Sequence, residues 1–318
     1  MQHQTTHNNN PPHPSEPDAA NPESKGLAPR QKSRHRKEPG VAYLAWSWLI
    51  SRDVLGLVLL TFIAFVMLVP IIWMVSTSFQ AGEKMFHLKT EWFPSPWHPE
   101  NYPNALTRAN FARFFFNSGV VSSIVMCSNL LFCTLAGYGL AKFRFPGDRF
   151  VLIAILSTLM LPIEVTLVPT FLVVHKFGWL NSYQGLVAPL LVDAFGIFLM
   201  RQAILTIPSD YIEAARIDGA GEFRILWQII LPQCLPALAI LAVLTFRDSW
   251  DQFVWPLTVA SKDEFRTFPL GLMRFGDDYG NPPTEQMAIA VLATLPTFLL
   301  FVVLQKLVNR GFGLSGLK

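Results

Sequence analysis

Residues 201–233 read RQAILTIPSDYIEAARIDGAGEFRILWQIILPQ, a polar and patterned stretch set between two long apolar runs. It is too polar to cross a bilayer and too ordered in its signals to be a linker. Pro208 and Asp210 are helix-start residues, and Glu213 follows Asp210 at the spacing of a capping box. The spacing predicts a short helix over Tyr211–Asp218. Gly219 is its natural stop, because glycine tolerates the left-handed conformation that closes a helix. A second short helix is expected over about Glu222–Ile230, ending at Pro232. Small Ala214 and Ala215, flanked by Glu213 and Arg216, give the first helix the character of a compact exposed knob suited to close approach by a partner. A helix tucked against its own bundle satisfies the same spacing.

Outward from this stretch the chain is apolar. Of its 318 residues 51% are hydrophobic and 15% charged, and the mean hydropathy is +0.35. Soluble domains carry roughly a quarter charged residues. A crossing helix needs about 20 mainly apolar residues, and six segments qualify: about 54–76, 118–141, 150–174, 183–205, 235–258 and 287–308, with the loop 206–233 between the fourth and fifth. The expected architecture is an all-α integral membrane domain over 41–318. Prolines 162, 169, 189, 232, 236 and 256 lie in or beside these spans as kinks or hinges.

Lysine and arginine set the orientation. With both termini inside, cytoplasmic segments hold sixteen of them and outer loops eight, with Arg247 within a span. The patterned loop then faces the cytoplasm. Residues 1–40 are Asn/His/Pro-rich and then basic, and read as a disordered cytoplasmic tail. Val41–Ile50, with Tyr43, Trp46 and Trp48, reads as an interfacial lead-in. The outer loops 77–117 and 259–286, rich in Trp, Phe, Pro and Asn, offer a docking face or a set of lids.

Several functions are excluded or left without support by composition. The net charge of +3 gives no bulk attraction to nucleic acid. Cys127, Cys133 and Cys234 lie in apolar stretches without a CxxC pair, and no metal-ligand spacing occurs, so no metal site or cofactor is expected. A phosphate-cradling GxxxxGK[ST] motif is absent. If nucleotide drives this protein, another polypeptide binds it.

Glu213-Ala214-Ala215, Asp218-Gly219 and Ile230-Leu231-Pro232 resemble the EAA loop of binding-protein-dependent ABC importer permeases with the type I (MetI-like) fold. FPSPWHPENY…FFFNS (94–117), LPIEVTLVPTFLVV (161–174), FGIFLMRQ (195–202), SWDQFVWPL (249–257) and RGFGLSGLK (310–318) are similar to the carbohydrate-uptake branch of that family. The resemblance covers about 55–318. It implies a permease subunit of the inner membrane that hydrolyses no ATP itself. Its partners would be a second permease subunit, two ATP-binding cassette subunits that use ATP and Mg, and an extracytoplasmic solute-binding protein. The solute would be a sugar, oligosaccharide or related polyol. It further implies that the 208–219 helix docks in a cleft of the ATPase: Glu213 would face a basic group, Ala214 and Ala215 would permit the fit, and Gly219 the turn. The tail Gly313–Lys318 would also reach the ATPase pair. Trp250-Asp251 stands where the family usually has Trp-Asn.

Charged groups inside a membrane face the bundle interior or a wet cavity. Arg247 and Asp251 are four residues apart and so share a helix face, with Glu164 and Asp193 as further partners from other helices. Two readings fit: a buried ion-pair network that fixes packing, or a translocation path lined by Glu164, Asp193, Arg247, Trp250, Asp251 and Trp255. Two rival functions also fit intramembrane acids. An ion-coupled secondary transporter would use Glu164, Asp193 and Asp251, although no inverted repeat is evident. An intramembrane enzyme lacks a Ser/His pair or GxSxG motif in the spans.

Overall fold

The computed structural model describes residues 52–82, 92–108, 110–278 and 282–313, and within these the chain is helical, without strands. The basic tail, the Tyr43–Trp48 lead-in and the 314–318 tail lie outside the described residues. The chain divides into two units, Met1–Phe62 and Ile63–Lys318. In the first, the described residues are the opening turns of helix α1 (Arg52–Ser78), whose Leu55, Leu57 and Leu60 are exposed. The second unit holds the working parts.

Its mast is α3 (Phe111–Lys142), 32 residues long and therefore about 48 Å at 1.5 Å per residue. One end of α3 is anchored in a core of Cys133, Tyr138, Ile204, Ile212, Ile225, Ile230 and Leu241. Its other half meets two further cores: Val121, Val125, Leu186, Trp255 and Val259, and, around Phe111 and Phe114, Phe268, Phe275 and Ile289. The first core marks one end of the molecule and the latter two the opposite end, and the chain shuttles between them. Ile63–Ser78 arrives at the opposite end, where Asn101 Nδ2 donates to the Ser78 and Gln80 carbonyls at 2.9 Å each. After α2 (Asn101–Arg108), α3 runs back. The return path is α4 (Asp148–Thr158), whose Ile155 packs against the first core, and then α5 (Ile163–Lys176), with Val174 in the second. Next, α6 (Tyr183–Val187), its 3₁₀ continuation Ala188–Leu190, and α7 (Ala194–Leu205) lead down to the first core. The loop helices follow, and α10 (Leu235–Trp250) with α11 (Val254–Val259) leads back to the second core. Last, α12 (Phe268–Asp278) lies at the opposite end, and α13 (Pro283–Gly313) leaves it from Ile289. Among the described residues α1, α3 and α13 are each long and apolar enough to cross a bilayer, and up to six spans result if each bent pair counts as one, the last pair joining Glu222–Gln233 to Leu235–Trp250.

Three of the expected spans are bent or broken. The third breaks by 100° between Thr158 and Ile163. Pro162 cannot donate to the helix ladder and disfavours helical backbone at Leu161 before it. The fourth bends by 46° between Leu190 and Ala194. The fifth is interrupted by Asp251–Phe253 before resuming at Val254, and turns by 82° from the preceding loop helix at Cys234. The second and sixth run longer than the apolar runs, because polar turns at their ends are held by tertiary contacts. At the outer turn of α3, Asn117 Nδ2 donates to Glu264 and Arg266 carbonyls at 2.9 and 2.8 Å, and Tyr183 donates to Asn117 Oδ1 at 2.7 Å. Large apolar side chains such as Phe65, Phe150, Val165, Phe298 and Val303 are exposed. On this scale that is the surface of a body solvated by lipid.

Candidate functional site

At the end marked by the first core, the patterned loop folds as α8 (Ser209–Ile217), then α9 (Glu222–Ile225), a π turn Leu226–Ile230 and a last turn Leu231–Gln233. The capping box expected from Asp210 and Glu213 is not formed. Pro208 takes the cap position without a side-chain bond, because its extended backbone ends the preceding segment one step earlier and moves Asp210 into the first turn. There its charge still favours the positive helix end. The C-terminus behaves as expected. Gly219 has φ +81°, its N–H donates to Arg216 O at 3.0 Å, and that of Ala220 to Ala215 O at 2.9 Å, a Schellman closure. The π turn follows from Pro232, which has no N–H for the carbonyl four residues back, so the ladder slips to i→i−5, with Leu231 N–H donating to Leu226 O.

Only Ile212 of α8 is buried. Tyr211 is 59% and Ile217 86% exposed, and Glu213, Ala214, Asp218 and Gly219 face outward. Ala215 is turned differently from the expectation, half-buried against the first core, since it lies one turn from Ile212 on the inward side. Pro232 is exposed beside the π turn. With the described residues, Glu213 forms no hydrogen bond or ion pair.

The knob is gripped from α3, a feature sequence reading missed. Lys142 Nζ donates to Ile207 O at 2.7 Å, just before Pro208. On the other flank the Tyr138 hydroxyl donates to Glu222 Oε2, and Arg216 Nε donates to Oε1 at 2.8 Å. The Arg216 guanidinium also lies 6.0 Å from the Phe143 ring centroid. Bonding by Arg216 first, and by Tyr138 second, holds the Glu222 carboxyl below its ordinary range, while Glu222 raises Arg216.

A second polar region lies midway along the bundle. The break before α7 leaves backbone groups without ladder partners, which in lipid must be satisfied internally. Asn129 Nδ2 donates to Leu190 O at 2.8 Å, and Asp193 caps α7, Oδ2 accepting from Gly196 N–H at 2.9 Å. Beside this break is a cavity of about 370 Å³ lined by Asn129, Asp193, Thr245, Asp248, Ser249 and Gln252 among apolar neighbours. Of the six path residues expected from sequence, Asp193 alone lines it. Arg247 and Asp251 meet as expected, Nε to Oδ2 at 3.5 Å, and Arg247 Nη1 is 3.9 Å from Asp248. They are not a buried packing network: Arg247 and Asp251 are 58% and 60% exposed. Glu164 is exposed on α5 and forms no ion pair with Arg247. Trp250 borders a separate cavity with Asp251, Phe253 and Phe268, and both Trp250 and Trp255 are largely enclosed. Each is 3% exposed, with indole N–H donated to Ala293 O and Gly185 O respectively, so both are core anchors.

Residues 133–313 match the family model described as "Binding-protein-dependent transport system inner membrane component". The chain belongs to this family. Among curated relatives, the arabinooligosaccharides transport system permease protein AraQ of Halalkalibacterium halodurans is 32% identical over 81% of this chain and 93% of its own length. The sn-glycerol-3-phosphate transport system permease protein UgpE of Brucella abortus is also 32% identical, over 81% and 92%. A chain in the crystal structure of a bacterial ABC transporter involved in import of the acidic polysaccharide alginate superposes with TM-score 0.71. It is 26% identical, with 80% of this chain and 95% of that one covered. The family settles the class: this is a multi-pass inner-membrane permease component that works with a binding protein, and not an enzyme.

Proposed function

We propose that this permease subunit couples ATP hydrolysis by separate ATP-binding cassette subunits to import of a polyhydroxylated solute. The observation that carries the reading is α8, a knob closed by a Schellman turn, pinned on both flanks by α3, and bare outward at Tyr211, Glu213, Ala214 and Ile217. Two such cassette subunits, a second permease subunit and an external solute-binding protein complete the assembly. Exposed Phe93 and Trp97 at the opposite end, 88% and 62% exposed, suit the last of these. The α8 end faces the cytoplasm, with both termini there, in keeping with its excess of Lys and Arg. The relatives' names span a neutral pentose oligomer, a phosphorylated polyol and an acidic polysaccharide, and the hydroxylated carbon chain is what they share.

In this reading the cassette pair closes on ATP, α8 moves with it, and the bundle turns its path outward. Glu213 forms the charged contact to the ATPase, and Gly219 holds the turn that presents it. The test is the purified complete assembly with Glu213→Ala or Gly219→Ala. Each is expected to retain ATP hydrolysis and membrane insertion while losing solute accumulation. Full accumulation by both variants refutes the coupling role.

A further inference from the structure

The mid-bundle cavity carries an inference that rests on the import reading and narrows its solute. Its volume of about 370 Å³ lies within the range of small-molecule pockets, about 300–1,000 Å³. Its polar lining cannot face hydrocarbon, so in the assembly it faces water, the partner subunit or the passing solute. Asp193 and Asp248 are the ionisable groups in that lining, which includes no lysine, arginine or histidine. The nearest guanidinium, Arg247, is drawn to Asp251 at 3.5 Å and stands 3.9 Å from Asp248, so the four charges together remain negative. An independent feature marks the site as built for a ligand. Ser249 is only 8% exposed, and its hydroxyl has no hydrogen-bond partner, although a buried hydroxyl is ordinarily bonded. Asn129 and Thr245, by contrast, donate to backbone carbonyls, so they shape the wall and leave Ser249 and Gln252 as the neutral polar groups.

We propose that this cavity sorts the solute by charge, passing an uncharged hydroxylated molecule and rejecting an anionic one. Hydroxyls can donate to the two carboxylates and exchange bonds with Ser249 and Gln252. A phosphate or uronate meets two like charges in a site of low dielectric, where repulsion is strong.

The test uses the complete transporter in membranes. Gln252→Cys is introduced beside the native thiols, and modification is compared with the parent chain. The probes are a cationic and an anionic methanethiosulfonate of matched size. Relative to a free thiol, the cationic reagent is expected to be favoured by about tenfold or more, the scale of field focusing in a charged cleft. That preference should fall towards the free-thiol value when Asp193→Asn and Asp248→Asn are added. Failure of either reagent to react, a preference at or below the free-thiol value, or one insensitive to the two Asn substitutions overturns the proposal. A second arm supplies energised vesicles with a mixed panel of uncharged pentose and hexose oligomers and polyols, together with phosphorylated and uronate counterparts. Accumulated solutes are read by mass spectrometry. Uncharged members alone should accumulate. Equal accumulation of anionic members overturns charge sorting while leaving ATP-driven import intact, and no ATP-dependent accumulation at all overturns both.

Discussion

The grip of α3 on the loop gives the sharpest quantitative prediction. Glu222→Gln keeps the size of the side chain and removes its charge. Two bonds are affected: Arg216 Nε to Oε1 at 2.8 Å, and the Tyr138 hydroxyl to Oε2. The Arg216–Glu222 pair is open, at 41% and 39% exposed, so it belongs with surface pairs of about 0–1 kcal/mol. Tyr138 is 5% exposed, and its bond to a carboxylate falls in the range of about 1.5–3 kcal/mol. Together these give about 2 kcal/mol, or about thirtyfold in the equilibrium for local opening of α8. Tyr138→Phe removes the stronger bond alone and should give about tenfold. Because both substitutions act on one bond, the double variant should fall short of additivity by about 0.5 kcal/mol or more. The assay is amide hydrogen exchange over 209–220 in the purified protein, with α7 as internal reference. Unchanged protection of α8 in both single variants refutes the grip, as does equal loosening of α7, which would signify general destabilisation.

The same carboxylate sets a pH dependence. Its folded-state pKa lies below the ordinary value of 4.5, so its contribution is complete above about pH 4.5 and is lost as pH falls through the lowered value. Protection factors of α8, corrected for intrinsic exchange, should therefore be flat from neutrality to about pH 5 and fall only below the usual carboxylate range. A second pair of variants tests helix contact in the membrane. A Cβ at Gly137 would lie 2.8 Å from Arg201 N and 2.9 Å from Met200 Cβ, whereas one at Gly119 meets nothing within 4 Å. Gly137→Ala should cost about 1–3 kcal/mol and lower the melting temperature in detergent, while Gly119→Ala should leave stability unchanged or raise it by up to about 1 kcal/mol, with the melting temperature following. At the α7 break, Asp193→Ala should cost about 1 kcal/mol through its lost cap, and Asp193→Asn, which also caps, much less. Equal melting of the two variants would refute that account.

What was legible in the sequence was whatever depends on neighbours along the chain. The apolar runs fell on the three long helices and within the bent pairs, Gly219 marked the end of α8, and four-residue spacing paired Arg247 with Asp251. The capping box at Asp210 was a local reading that failed, because Pro208 occupied the cap position first. Tyr138 and Glu222 are 84 residues apart, and no periodicity links them. Trp250 and Trp255 sit beside charged residues in sequence, which invited a path-lining role. Adjacent positions on a helix point about 100° apart, however, so Asp251 is exposed while Trp250 packs against Phe246 and Phe268. Asp248, a charge of the fifth span, was not placed among the path residues, because its relation to Asp193 comes from packing α10 against α7.

These placements give α3 a role that neither region has alone. Asn129 holds the broken backbone above α7 and shapes the cavity, while Tyr138 and Lys142 hold the flanks of α8. The two grips are nine and thirteen residues apart on one uninterrupted helix, about 14 and 20 Å along its axis. The alternative route from α8 through α7 meets the 46° break at 191–193, where a push can be absorbed as bending. A displacement imposed on the exposed face of α8 therefore reaches the cavity wall most directly through α3, with the close contact at Gly137 keeping α7 alongside. It follows that Gly137→Ala, by spacing these helices apart, should impair coupling even where the protein still folds and α8 still docks.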